Sequence, residues 1–243
     1  MKALIFAAGL GERMRPLTDT TPKPLLEAGG KPLIVWHLEK LAALGVRDVV
    51  VNTSWRADRF EPALGDGSRW GLRLHFAYEG ATPLETGGGM LHALPLLGDT
   101  HGSNEAFLLV NGDVWTDFDF ARLPREPAGL AHLVMVDRPG HATHGDFALA
   151  PDGHVRNEGE NVPDNSLLTY AGIGIYRPQI LDGWQSVIGD CNHVDGKPKF
   201  PLAPILRARM AEGRITGEHH RGQWTDVGTP QRLAELDARL SGE

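Results

Sequence analysis

The segment from Lys2 to Ala8, KALIFAA, is apolar at every position after the first, so neither face of a strand built from it could stand in water. A strand covered on both faces belongs to a parallel sheet with a layer packed on each side. DVVVNTS and AFLLVNGD are further buried strands of this first half, RLHFAYE alternates as another, and LAHLVMVDR is a fifth. Helical spacing lies between them. PLIVWHLEKLAALG sets Ile34, Leu38, Leu41 and Leu44 on one stripe and stops at Gly45, GGMLHALPLL reads as a second helix, and RFEPAL is a weak one before the turn GDGS. Strand alternating with helix predicts a doubly wound α/β sheet over the first ~140 residues.

The second half has another texture. DFALAPDGHV reads as two short strands about a Pro-Asp-Gly turn, and SLLTYAGIGIYRP as a long strand stopped by Pro178. PLAPILRARMAEG is a helix opened by prolines and closed by Gly213, RITGEHHRGQWTDVG is extended, and a last helix begins at Thr229 (N-cap) and Pro230. No repeat, low-complexity tract or linker separates these pieces, so they read as folded back onto one sheet. The net charge of −7 argues against general nucleic-acid binding, which wants a basic stripe. A single cysteine, Cys191, excludes an internal disulfide and fits a reducing, cytoplasmic setting; in its polar loop it reads as inert. No stretch approaches the ~20 apolar residues of a membrane span. His219 and His220, adjacent on a strand, point to opposite faces, and like His141 and His144 they read as surface or packing residues.

Four segments carry polar groups suited to chemistry. GLGERM has two glycines of a dinucleotide fingerprint, but Met14 stands at the third, and Pro16, Pro22 and Pro24 prevent the helix that such a fingerprint must enter. What is left is a long loop offering backbone N–H groups from Gly9 to Glu12 and cations at Arg13, Arg15 and Lys23, a nest suited to a triphosphate chain, or else an ordinary basic surface loop. In LLVNGDVW, Asp113 follows a buried strand, where ligands of open α/β sheets collect; it is a candidate Mg²⁺ ligand, with a hairpin turn as the alternative. Asp226 in GQWTDVGTP is a second carboxylate for the same ion, or a turn former ahead of the last helix. In EGATPLETGGGML, Gly87 to Gly89 directly precede a helix and either admit a flat base to the backbone or allow close helix packing. Glu79, Glu85 and Thr86 lie within reach of such a base.

Taken together, AAGLGERMRPLT…PKPL, NGD, the GDF at residues 145–147, TYAGI and WTDVGTP resemble, in the right order and over nearly the whole chain, the sugar-1-phosphate nucleotidyltransferases. The resemblance implies one domain over residues 1–243 of GT-A-like architecture: a single, mostly parallel Rossmann-like sheet with a smaller β-rich sugar-binding insertion. Residues 1–140 would bind the nucleotide, and residues 141–243 would add the sugar side and the second metal ligand. It implies attack of a sugar 1-phosphate oxygen on the α-phosphorus of a nucleoside triphosphate, with Mg²⁺ as cofactor and no covalent intermediate. Gly9, Gly11, Glu12 and Arg13 would line the triphosphate, and Lys23 would bridge phosphates. Arg13, Lys23 and Asp113 would be catalytic. Asp113 and Asp226 would hold the metal. Ala8, Glu79, Glu85, Thr86 and Gly87 would border the base; Asn111, Gly145, Asp146, Thr169 and Gly172 would face the sugar.

Within that family, LETGGG, NGDVWTDFDFARL, GLAHLV, GEHHRG and the short chain without hexapeptide repeats imply UTP and N-acetylmuramate 1-phosphate as the pair, in peptidoglycan recycling. Guanylyl or thymidylyl transfer to mannose or glucose 1-phosphate is the alternative, and an inactive sensor of sugar nucleotides a third. The partners implied are these two small molecules, with neither nucleic acid nor membrane; a homo-oligomer is compatible. One departure stands out: many relatives grip the sugar phosphate with the lysine of a Glu-Lys-Pro, whereas VRNEGENVP has none and offers only Arg156. IGDCNHVDGKPKF carries no readable motif.

Overall fold

A computed structural model describes residues 1–98, 104–157 and 167–242. Residues 158–163 of the lysine-free VRNEGENVP stretch, and residue 166 at the start of SLLTYAGIGIYRP, lie outside the described residues. In the first half the strands are β1 (Lys2–Phe6), β2 (Glu27–Ala28), β3 (Lys31–Pro32), β4 (Asp48–Thr53), β5 (Arg73–Tyr78), β6 (Phe107–Asn111), β7 (Val114–Thr116) and β8 (Ala131–Val136). The helices among them are α1 (Leu33–Ala43), α2 (Phe60–Leu64) and α3 (Glu85–Leu97). The second half adds β9 (Ala148–Leu149), β10 (Val155–Arg156), β11 (Thr169–Tyr176), β12 (Asn192–Val194), β13 (Lys197–Lys199), β14 (Ile215–His220) and β15 (Trp224–Asp226). Its helices are α4 (Trp184–Ile188), α5 (Ala203–Ala211) and α6 (Pro230–Ser241).

The central sheet has seven strands in the order β14-β8-β11-β6-β1-β4-β5. β1 pairs in parallel with β4 and β6, and β4 with β5; β14 pairs in parallel with β8. β11 is antiparallel to both β6 and β8, so it alone runs against the rest. The mostly parallel, doubly wound sheet expected from the sequence is therefore present, and it draws strands from both halves of the chain.

Alternation along each strand sorts the apolar residues into two cores. Ala3, Ile5, Val49, Val51, Leu108 and Val110 belong to one, closed by Ile34, Leu38 and Leu41 of α1. Leu4, Val50, Phe107 and Leu109 belong to the other, closed by Met90, Ala93 and Leu94 of α3 and Ile205 and Leu206 of α5. A third, smaller cluster lies at the edge, where Leu236 of α6 packs with Met14, Leu26, Trp115 and Val227. Helix α6 opens as its sequence predicts, the Thr229 hydroxyl accepting from the Arg232 N–H at 3.3 Å.

Two local expectations fail. Gly87 to Gly89 do not precede a helix; α3 begins at Glu85, so all three lie in its first two turns. And the segment around Cys191, expected as an irregular polar loop, is the hairpin β12–β13, turned by Asp195 and Gly196 at φ 50° and 75°. Positive φ at both central residues is the signature of a two-residue type I′ turn, and Asp-Gly is a preferred pair for it. The hairpin's exit is bound to α3: the N–H groups of Gly87 and Gly88 both donate to the Phe200 carbonyl, at 2.9 and 3.0 Å. Among the described residues no helix is long and apolar enough to cross a membrane.

Candidate active site

The order of strands about β1 reverses between β4 and β6, so a crevice opens beyond their carboxyl ends. The loop after β1 and the turn after β6 both empty into it. They are tied together at the bottom, where the Gly112 N–H donates to the Phe6 carbonyl at 2.8 Å. A Cβ at residue 112 would stand 2.8 Å from that same oxygen, so the turn needs glycine for a close approach of backbones. The Asn-Gly pair is therefore no hairpin between β6 and β7: β7 pairs instead with β15.

The loop after β1 folds into three short 3-10 turns, Glu12–Met14, Leu17–Asp19 and Lys23–Leu25. Gly11 enters the first at φ 66°, and a Cβ there would meet Thr18, whose hydroxyl donates to the Gly11 carbonyl at 2.8 Å. No described residue accepts a hydrogen bond from the backbone N–H of Leu10, Gly11, Glu12 or Arg13. Four free donors beside a lysine are an arrangement that suits an anion. Lys23 Nζ lies 2.6 Å from Asp113 Oδ2, the lysine only 11% exposed.

Three cavities adjoin along the crevice. The first, of about 190 Å³, is lined by Ala8, Gly9, Glu79, Glu85 and Thr86 among others. The second, of about 590 Å³, runs along Gly9 to Met14 to Lys23, Asp113 and Lys199. The third, of about 310 Å³, includes Asn111, Asp113, Asp146, Thr169, Trp224 and Asp226. Asp113 reaches all three.

The antiparallel pairing of β15 with β7 sets Asp226 opposite Val114, and the Val227 N–H donates to the Asp113 carbonyl at 2.9 Å. Two carboxylates far apart in sequence thus share one cavity. Asp226 Oδ1 accepts from Arg232 Nη1 at 2.5 Å and lies 3.2 Å from His141 Nε2. Among the described residues nothing donates to Asp113 Oδ1 or Asp226 Oδ2. Nor does any described group of three or more His, Cys, Asp or Glu suit a metal ion. Two hard carboxylates, each with an oxygen to spare, fit Mg²⁺, which takes one or two protein carboxylates and completes its shell with phosphate oxygens and water.

The residues expected to border a base differ from expectation in what they do. Glu79 is fully buried and both its oxygens are engaged: Oε1 accepts from Asn52 Nδ2 at 2.5 Å and Oε2 from the Leu84 N–H at 2.7 Å. Burial holds its carboxyl above the ordinary value. Asn52 Oδ1 in turn accepts from the Ala7 N–H at 2.6 Å, so this chain of bonds fixes the start of the loop after β1 against α3. Asn52 went unpredicted; its signal was a polar residue closing an otherwise apolar strand. Thr86 Oγ1 accepts from the Leu202 N–H, and Gly87 is outside the cavity, its N–H spent on Phe200. A Cβ on Gly87 would stand 2.5 Å from the Phe200 ring, and one on Gly89 2.5 Å from Glu79 Oε1. These glycines admit neighbouring protein, not a base. Glu85 lines the site at φ 63°, an uncommon backbone for a side chain other than glycine.

Of the residues expected to face a sugar, Asn111, Asp146 and Thr169 line the third cavity, and Asp146 Oδ2 accepts from the Tyr170 N–H at 2.9 Å. Gly145 and Gly172 do not line it. They allow close approach: a Cβ on Gly145 would meet the Leu167 backbone, and one on Gly172, at φ 72°, the Asn111 side chain at 2.5 Å. His141, His144 and Trp224 line this cavity without having been predicted to. His219 and His220 part as expected, to Asp137 at 2.9 Å and Asp117 at 2.7 Å.

The nucleotidyl transferase family matches residues 2–242 of the chain. An N-acetylmuramate alpha-1-phosphate uridylyltransferase of Neisseria meningitidis serogroup B is 47% identical over 98% of this chain and 97% of its own length. A protein of the same name from Caulobacter vibrioides is 35% identical over 98% and 96%. The mannose-1-phosphate guanylyltransferase catalytic subunit beta of Drosophila melanogaster is 30% identical over 95% of this chain and 60% of its own. Among solved structures, a Bacillus anthracis protein described as a glucose-1-phosphate thymidylyltransferase, in complex with a sucrose, shares the fold at a TM-score of 0.79 and 19% identity, covering 100% of this chain and 96% of that one.

Proposed function

The chain belongs to the nucleotidyl transferase family and is a sugar-1-phosphate nucleotidyltransferase, and on that premise we propose that it joins N-acetylmuramate 1-phosphate to UTP, giving UDP-N-acetylmuramate and pyrophosphate. The observation that carries the choice of substrates is the 47% identity, end to end, with the Neisseria meningitidis uridylyltransferase. The uridine base enters the smallest cavity, the triphosphate lies along Gly9 to Arg13, and the sugar takes the cavity of Asn111, Asp146 and Thr169. The product serves peptidoglycan recycling. Two phosphorylated substrates and one free cysteine fit a cytoplasmic setting. Residues 1–140 and 141–243 work as one domain, a reading supported by the sheet they share.

A phosphate oxygen of the sugar 1-phosphate attacks the α-phosphorus of UTP; the new O–P bond forms as the bond from the α-phosphorus to the bridging oxygen breaks, and pyrophosphate leaves with that electron pair. No proton need move, because the nucleophile is already an anion. The protein's task is to hold two polyanions in line and offset their charge. The loop N–H groups and Arg13 hold the phosphates that leave, and Lys23 sits where both substrates' phosphates converge. Asp113 and Asp226 would hold Mg²⁺, which supplies Lewis-acid neutralisation of phosphate charge.

The test is pyrophosphate release with magnesium, crossing UTP, GTP, dTTP, CTP and ATP against the 1-phosphates of N-acetylmuramate, N-acetylglucosamine, glucose and mannose. UTP with the muramate sugar should dominate. Another best pair would keep the reaction and replace the substrates, and silence across all pairs with nucleotide binding intact would make the protein a sensor.

A further inference from the structure

The hairpin β12–β13 stands out as a well-anchored element for which the reaction above has no use. Its exit is fixed to α3 through the Phe200 carbonyl, and the Phe200 ring stacks on Trp184 with centroids 4.6 Å apart. Lys197 Nζ donates to the Glu79 carbonyl at 3.1 Å. Two residues on, along the same strand, Lys199 lines the same large cavity as the loop of residues 9–14. It lines neither the base cavity nor the sugar cavity. Among the described residues it has no acidic partner and no hydrogen-bond acceptor.

Charge explains why a lysine is held there. Glu12, Glu85 and Asp113 bring three carboxylates to this cavity, against Arg13 and Lys23, and Lys23 is already paired with Asp113. Without Lys199 the cavity's own side chains are net negative, a poor receptacle for a polyphosphate. With it they balance, leaving the loop N–H groups to add attraction.

We propose that Lys199 is a phosphate-binding residue for the nucleoside triphosphate, gripping its β- and γ-phosphates together with Arg13. The inference rests on the nucleotidyltransferase reading of the cavity and deepens it. It gives the hairpin its purpose, which is to carry one cation into the cleft on a strand too firmly held to swing away. Because the grip falls on the part of the nucleotide that departs, Lys199 binds substrate and leaving group but neither the base nor the acceptor sugar.

Calorimetric titration of UMP and UTP in magnesium, on wild type, Lys199→Met, Lys199→Gln and Lys199→Arg, separates this role from a structural one. Loss of one charge-assisted contact should weaken UTP by about tenfold or more in the Met and Gln variants. UMP should change by less than about twofold in both, on the same scale. Lys199→Arg should recover most of the UTP affinity, and the KM for the sugar phosphate should not move. Carrying two neutral variants keeps the comparison open if one of them fails to fold. Unchanged UTP affinity in the neutral variants, or an equal loss for UMP and UTP, would overturn the assignment while sparing the reaction. Wild-type protein that binds no triphosphate would overturn both.

Discussion

Asp113 reaches all three cavities of the site, with one oxygen on Lys23 and the other taking no hydrogen bond from a described residue, the one proposed for Mg²⁺. Asparagine at this position keeps the shape and an acceptor for Lys23 but removes the negative charge. Asp113→Asn should therefore fold with a cooperative urea transition yet lose turnover by at least about a hundredfold, the scale of removing one main electrostatic contributor. Near-normal pyrophosphate release from that variant would refute the metal assignment. Residues of this kind were legible in the sequence because they sit in long local motifs: Gly11, Arg13 and Lys23 in one loop, Asp113 directly after a strand. Asn52 and Lys199 were not. Each depends on the fold, Asn52 by bonding Ala7 and Glu79 and Lys199 by sharing a cavity with the loop of residues 9–14, and nothing beside them in the chain records those neighbours.

At the scale of elements, the strands were readable because burial on both faces leaves a continuous apolar run. Helix α3 was readable only from its apolar part. Its first turns contain three glycines with little intrinsic tendency to be helical, and contacts with Phe200 and Glu79 make them so. The hairpin β12–β13 was missed for a related reason: its strands are three residues each and mostly polar, and only Asp195-Gly196 marked it. The packing of α3 supplies its own test. In Gly89→Ala the added methyl would overlap Glu79 Oε1 and press on Asn52 Nδ2, 2.8 Å away. A destabilisation of about 1–3 kcal/mol is expected from such overpacking, measured by urea unfolding. The KM for UTP should rise more than that for the sugar phosphate, since Asn52 holds the start of the phosphate loop.

One buried ring adds to the whole molecule's sensitivity to acid. His37 of α1 is almost wholly buried, stacks on Phe120 and donates through Nε2 to the Val114 carbonyl at 2.8 Å, which ties the helix to the strand after Asp113. Burial pushes its pKa down from 6.5 to about 4. Above pH 6.5 the ring is neutral whether the chain is folded or not, and its contribution is complete. As the pH falls from 6.5 toward 4 the unfolded chain takes up a proton that the folded one refuses, so stability drops by up to about 1.4 kcal/mol for each pH unit. The urea midpoint of the wild type should fall through this window. In His37→Gln, which keeps a donor and cannot titrate, that part of the fall should be missing; identical pH profiles would show the ring plays no part.

The single reversed strand has a consequence for how the protein is made. Because β11 runs against its neighbours, its first residues, Thr169 to Ala171, arrive at the edge where β1 and β6 end, and the chain must then pass through β14 before Asp226 can lie beside Asp113. Synthesis therefore releases the loop after β1 well before the second carboxylate. The pairing that brings Asp226 beside Asp113 forms only after β14 and β15 have both been made, and the site is incomplete until then.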